Sequence, residues 1–170
     1  MKSAFHDQFV ELFQQNFQRL QRYLGRLSGD PDLAADLAQE TFVRLYRRRS
    51  APDRPEAWLI TVATNLFRNA RTKDVRRLRL LSGPRSEETL PERAPSPSER
   101  AEAAAMRRCV AEVLSRMPER ERQMLLLRAE GYGYREIAAA LKLNEASVGT
   151  LLARAKRGFR ELYEDTTDAS

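Results

Sequence analysis

Apolar residues recur along this chain at steps of three and four, the spacing of one face of an α-helix. The pattern is clearest near the end. Tyr134–Leu141 places Ile137, Ala138 and Leu141 on one face, and Lys142-Leu143-Asn144 interrupts it. From Glu145 a second stripe follows: Val148, Leu152, Ala155, Phe159 and Leu162. Ser147, Thr150, Arg154 and Arg157 fall together on a different face, which is polar and basic. A short helix, a tight break and a longer helix with a basic open side predict a helix-turn-helix, which places its second helix in a DNA major groove. A charged helix solvated on the outside of a bundle is the blander reading of the same pattern.

The earlier stretches predict five more helices. Residues 3–27 carry Phe5, Phe9, Leu12, Phe13, Leu20, Leu24 and Leu27 at helical spacing, a stripe expected to be core. Asp30 is placed to cap a second helix, Pro31–Arg48, with the proline at its first position. Leu33, Leu37, Thr41 and Leu45, with Ala34, Ala38 and Phe42, form its inward side; Asp32, Asp36, Gln39 and Val43 lie on another, with Glu40 beside them. A third helix starts near Glu56 with Trp58, Leu59, Val62, Ala63, Leu66 and Phe67. Ser96-Pro97-Ser98-Glu99 reads as a capping box for a fourth, with Met106, Val110, Val113, Leu114 and Met117 on its apolar side. A fifth runs from Pro118 to about Glu130, stopped by Gly131 in a left-handed conformation. Asn144 is a cap for the last helix.

Between these groups, residues 82–97 (SGPRSEETLPERAPSP) hold four prolines and little apolar content, the composition of a linker. The expected fold is therefore all-α: a helical domain over residues 1–81, a flexible linker over 82–97, and a four-helix domain over 98–170 containing the helix-turn-helix. The tail after Glu164 is acidic and is expected to be disordered.

Charge sharpens the picture. The net charge is +6, with a pI near 9.9, which favours a nucleic-acid partner. Residues 1–81 hold 15 Lys/Arg against 9 Asp/Glu, whereas residues 98–170 hold 13 against 12. Arg68, Arg71, Lys73, Arg76, Arg77 and Arg79 fall within twelve residues, beside Asn65 and an aromatic residue. That density suits phosphates and unstacked bases. One cysteine, Cys109, and one histidine, His6, cannot build a tetrahedral zinc site, and no metal or other cofactor is expected. No cleavable leader is visible and no apolar run approaches bilayer length, so a cytoplasmic location is expected. Scattered carboxylates give no cluster for metal-assisted hydrolysis, and no catalytic residue or small-molecule substrate is expected.

Several residue groups carry a resemblance. Asp36-Leu37-Ala38-Gln39-Glu40-Thr41-Phe42 looks like the DLxQExF segment of a sigma factor's first domain, and Trp58-Leu59 with Asn65 looks like the WLxxxAxN segment after it. Met117-Pro118, Arg122, Gly131-Tyr132, Glu136-Ile137-Ala138, Leu141, Val148 and Arg154-Ala155 follow the second sigma domain. Nearly the whole chain thus resembles an extracytoplasmic function sigma factor of the sigma-70 family. The resemblance implies that Asp36, Gln39, Glu40 and Phe42 dock on the β′ clamp helices of core RNA polymerase. From charge alone that face would read as merely solvated. It implies that Trp58, Asn65, Arg68, Asn69, Arg71, Lys73 and Arg76 bind the minus-ten promoter element. It also implies that Arg135, Ser147, Thr150, Arg154, Lys156 and Arg157 bind the minus-thirty-five element, with the β flap of polymerase as a further partner. Such factors are commonly held inactive by an anti-sigma factor, often one anchored at the inner membrane.

Three departures bear on the contacts. Lys142 stands where many relatives have glycine, at a cost on the order of 1 kcal/mol if left-handed. Ser147-Val148-Gly149-Thr150 replaces a Thr-Val-Lys-Ser pattern, losing a cation. Asn69 replaces an aspartate. The competing reading is a stand-alone dimeric helix-turn-helix regulator, which would need a dimer interface or ligand pocket in the first domain; the sequence offers neither clearly.

Overall fold

The computed structural model describes residues 2–77 and 96–169. Among the described residues there are seven α-helices and no strand: α1 (Lys2–Ser28), α2 (Pro31–Arg48), α3 (Pro55–Arg77), α4 (Pro97–Arg116), α5 (Glu119–Ala129), α6 (Tyr134–Leu141) and α7 (Glu145–Asp168). The linker expectation lies outside the described residues, except that Ser96 and Pro97 open α4.

Local chemistry sets the helix ends. Asp32 and Leu33 donate their N–H groups to Asp30 Oδ1 at 3.1 and 3.2 Å, satisfying donors that a helix start leaves free. Ser96 and Glu99 form the expected capping box, with each side chain accepting from the other's backbone. Asn144 Oδ1 accepts from Ala146 N–H at 3.1 Å. Gly131 adopts φ +89°, and Tyr132 N–H then reaches back to Leu127 O at 3.1 Å. The turn of the helix-turn-helix repeats this corner with a lysine: Lys142 sits at φ 56°, and Leu143 N–H donates to Ala138 O at 2.9 Å.

Helices α1 and α2 run antiparallel, joined across Gly29 at φ +68°. α2 gives Ala34, Leu37, Ala38, Thr41, Phe42 and Leu45 to the core. Its Thr41 hydroxyl is satisfied by Leu37 O at 2.8 Å. α3 closes the group with Leu59, Ile60, Ala63 and Phe67, and Tyr23 Oη bonds Thr64 Oγ1 at 3.1 Å. The aromatic half of α1 departs from expectation. Leu20, Tyr23, Leu24 and Leu27 are buried, but Phe9 and Leu12 are only half-buried and Phe13 is 38% exposed. The reason is length. α1 has 27 residues against 18 in α2, so its first turns are flanked only by the end of α2, through Phe42 and Tyr46.

The second group packs α7 against α4, α5 and α6. Val113, Leu114, Met117, Met124, Leu127, Ile137, Leu141, Val148, Leu152 and Ala155 are buried there. Met106, expected on the apolar side of α4, is 60% exposed and lines an open cleft instead of the core. The tail expected to be disordered is helical through Asp168. Thr166 Oγ1 donates to Leu162 O at 2.8 Å and is joined by Arg116 Nη1 at 3.3 Å, which ties the last turn of α7 to α4.

The two groups also pack on each other, α3 against α6 and α1 against α5, and their buried apolar residues form one continuous core. Arg22 Nε and Arg26 Nη1 lie 3.0 and 3.3 Å from the two oxygens of Glu130, and Arg71 Nη1 lies 3.3 Å from Glu119 Oε1. The Arg19 guanidinium sits 3.9 Å above the Tyr132 ring, and its Nη2 is 3.2 Å from Glu56 Oε1, though not aligned for a hydrogen bond. On α5, Gln123 is fully buried with no protein partner for either amide atom, which costs roughly 1–3 kcal/mol per unsatisfied group. Beside this contact runs a cleft of about 830 Å³, lined by Gly25, Pro31, Met106, Val110, Leu125 and Phe159 among others.

Two predictions follow from these environments. Burial raises the Tyr23 hydroxyl well above its usual value of 10.0, with the Thr64 bond opposing, and burial raises Tyr132 too. Below about pH 10 both phenols are protonated in folded and unfolded chains; above it the unfolded chain ionises first, and stability falls as pH rises. Tyr23→Phe is expected to lose about 1 kcal/mol at pH 7 through the missing bond but to decline less steeply above pH 10, read from urea midpoints across the range. Lys142→Gly should relieve the left-handed strain and stabilise the protein by about 0.5–1 kcal/mol in the same assay.

Candidate nucleic-acid and protein interfaces

On α2, the six buried residues leave a solvent face opposite them. Asp36 and Gln39 are exposed on it, and Glu40 is half-buried with its Oε1 3.1 Å from Arg44 Nε. Val43 is 40% exposed on the same face, four residues after Gln39 and seven after Asp36. Phe42 does not belong there. It is 2% exposed and packs edge-on against Phe9 and Phe13, with ring centroids 6.2 and 5.1 Å away, so it supports the face from beneath. Val43 takes its place as the apolar group a partner could touch. The spacing from Asp36 already pointed to it, whereas Phe42 was included only as part of a motif.

On α3, Trp58 is half-buried against the core, and Asn65, Arg68, Asn69 and Lys73 are exposed. Trp58, Asn65 and Asn69 follow one another at steps of seven and four and so share a face, with Arg68 at its edge. Arg71 points elsewhere, to Glu119 of α5. The side chain of Arg76 lies outside the described ones. Arg122, next to this pair, has its guanidinium lowered from the ordinary arginine value, first by burial and then by the Arg71 charge.

On the helix-turn-helix, Arg135, Thr150, Arg154 and Arg157 are exposed and Ser147 is half-buried. The stripe Val148, Leu152 and Ala155 is buried, which turns Thr150, Arg154 and Arg157 outward together. Lys156 is separated from them. Two residues from Arg154 on a helix is more than half a turn, and Lys156 lines the cleft beside Phe159 and Tyr163. The Tyr134 ring rests on α7 beside Gly149; a Cβ there would lie 3.4 Å from Tyr134 Cε2, about van der Waals contact, so the packing does not itself demand glycine. The Arg128 guanidinium lies 5.3 Å from the centre of that ring. The cation missing at this position is thus replaced by an aromatic contact within the motif.

Among the described residues, no three of His, Cys, Asp or Glu lie together so as to hold a metal ion, and no helix is long and apolar enough to cross a membrane. What the arrangement presents is recognition: a polar face with an apolar centre on α2, amides and cations on α3, and a basic face on α7.

Comparison with known proteins gives these faces a context. Residues 12–77 match the family described as Sigma-70 region 2, and residues 107–157 match Sigma-70, region 4. The ECF RNA polymerase sigma factor SigE of Mycolicibacterium smegmatis is 32% identical over 157 residues, 91% of this chain and 60% of that protein. The RNA polymerase sigma factor CarQ of Myxococcus xanthus is 30% identical over 162 residues, 93% of this chain and 88% of that one. Two solved structures share the fold, each with a TM-score of 0.67. One is the sigma factor RpoE in complex with the anti-sigma factor NepR from Bartonella quintana, at 20% identity and covering 92% of this chain and 97% of that chain. The other is CnrH in complex with the cytosolic domain of CnrY, at 23% identity and covering 96% and 92%. Both sigma regions occur in order on one chain, which a stand-alone regulator would not require. The chain belongs to the extracytoplasmic function sigma factors of the sigma-70 family and is an RNA polymerase sigma factor.

Proposed function

We propose that this protein directs core RNA polymerase to promoters through two separate readers and carries out no catalysis itself. Residues 1–81 form the unit that holds polymerase and the minus-ten element; residues 98–170 form the unit that reads the minus-thirty-five element. The observation that carries the reading is α2, whose core stripe leaves Asp36, Gln39 and Val43 together on a solvent face that, among the described residues, no other helix covers. That face docks on the β′ clamp helices. Trp58, Asn65 and Asn69 meet unstacked bases of the minus-ten element, with Arg68 and Lys73 holding phosphates. Thr150, Arg154 and Arg157, with Ser147 and Arg135 at the margin, meet the major groove. Lys156 has no part in that contact.

The protein acts in the cytoplasm, where core polymerase is. The structural likeness to RpoE bound to NepR, and to CnrH bound to CnrY, supports an anti-sigma partner for this chain too. Run-off transcription with core enzyme on genomic fragments tests the whole reading. Specific start sites that depend on the protein are expected. No complex with core enzyme, together with a palindromic footprint by the protein alone, would sink it in favour of a dimeric regulator.

Asp36→Ala with Gln39→Ala should weaken core-polymerase binding in a titration while helix content stays unchanged. Phe42→Ala should instead cost about 3–5 kcal/mol of stability, because it empties a buried aromatic site. Arg154→Ala with Arg157→Ala should reduce minus-thirty-five-dependent transcription and lower the salt slope of promoter binding by about one per lost phosphate contact. Lys156→Ala should leave that slope unchanged.

A further inference from the structure

Helices α4, α5 and α7 border an open cleft of about 830 Å³ beside the corner between α1 and α2. Local spacing builds its walls. Met106, Val110 and Leu114 follow one another at steps of four along one side of α4. Phe159 and Tyr163 do the same on α7, with ring centroids 6.1 Å apart and planes 20° from parallel. Gly25 and Gly29 line the far side and bring no side chain into it. Much of the apolar lining stays in contact with water: Met106 is 60% exposed, and Val110, Leu125, Phe159 and Tyr163 are half-buried. Contiguous apolar surface left open on a folded chain marks a binding site.

The charges around the cleft say what it takes. Arg26, Arg107, Lys156 and Arg160 line it, and no carboxylate does. Composition does not require this, since residues 98–170 hold 13 Lys/Arg against 12 Asp/Glu. Arg26 is engaged by Glu130. Arg107, Lys156 and Arg160 are exposed and form no ion pair with any described residue. Lys156 and Arg160 stand one turn apart on α7, and Arg107 follows Met106 on α4. We propose that this cleft binds a small amphipathic anion, an apolar body ending in a carboxylate or a phosphate. The body lies along Met106, Val110, Leu125 and Phe159, and the acid head meets Arg107, Lys156 and Arg160. The volume suits this class, because small-molecule sites run from about 300 to about 1,000 Å³ and are mostly apolar with a few charged groups. Both parts of the ligand are needed. An acid without an apolar body gains only exposed ion pairs, which are weak and screened by salt. An apolar body without an acid leaves three like charges beside it unneutralised. The site lies apart from the promoter contacts, so it stands or falls independently of the function proposed above.

Isothermal titration of the full chain with dodecanoate and with dodecyl phosphate, each below its micelle-forming concentration, tests the site. Saturable binding of at least one acid, at one site per chain, is expected, and the tighter of the two names the head that the cleft prefers. Dodecanol and dodecyltrimethylammonium, with the same chain but no acid, should bind about tenfold more weakly or worse. Acetate should show no measurable binding. Arg107→Glu with Lys156→Glu and Arg160→Glu should weaken the preferred acid by about tenfold or more, with helix content by circular dichroism unchanged. Arg100→Glu with Arg108→Glu and Arg120→Glu makes the same charge change at exposed positions outside the cleft and should leave its affinity unaltered. Met106→Asp, at a position too exposed to hold the fold together, should weaken it as the first triple variant does. No saturable binding of either acid, equal binding of dodecanol, or equal weakening by both triple variants overturns the proposal. The first of these results leaves the cleft to a helix of a protein partner.

Discussion

An α-helix has one stripe to give to a core, and α2 sets the terms for the first half of this protein. It is pressed between α1 and α3 and commits Ala34, Leu37, Ala38, Thr41, Phe42 and Leu45 inward. Among the described residues nothing covers its other side. The geometry that holds the domain together is therefore what displays Asp36, Gln39 and Val43 on one face of the helix. The core and the exposed face are two sides of one cylinder. A residue such as Phe42, one step from Val43, changes the face only by changing the core.

The same division explains what could be read in the sequence. Seven helices, three caps and the left-handed stop at Gly131 follow from local chemistry and were legible there, whereas a left-handed Lys142 was raised only through the family pattern. What escaped needs knowledge of neighbours. Phe13 and Met106 fit an apolar stripe, but Phe13 lies where α1 outruns α2 and Met106 lines an open cleft. The end of α7 is acidic enough to suggest disorder until Arg116 and Thr166 are seen to join it to α4. Lys156 and Arg154 both add positive charge to α7; their two-residue spacing already puts them more than half a turn apart, and the cleft lined by Phe159 and Tyr163 shows where Lys156 lies. Tyr23, Asn16 and Gln123 are buried polar residues that periodicity does not single out. The mutual packing of the two halves was not legible at all, because it depends on pairs more than a hundred residues apart, such as Arg22 and Glu130.

The helix-turn-helix shows how a departure from a family pattern can be absorbed. Gly149 costs helix propensity and removes a cation, and the Tyr134 ring packs beside it, near Arg128. Positive charge is thus kept near the motif by a residue of α5 rather than one of α7. The exposed face left on α7 is Thr150, Arg154 and Arg157, short and basic.

Among the described residues, the two non-glycine residues with positive φ, Arg49 and Lys142, are both cations, and both cap the C-terminal end of a helix. A positive charge there is attracted by the helix macrodipole, by about 0.3–1 kcal/mol at low ionic strength, which offsets part of the steric cost of the turn. Salt screens the attraction, with a Debye length of about 10 Å at 0.1 M, but leaves the steric cost untouched. These two corners are therefore less well offset as ionic strength rises, and one of them, at Lys142, is the turn that orients α7.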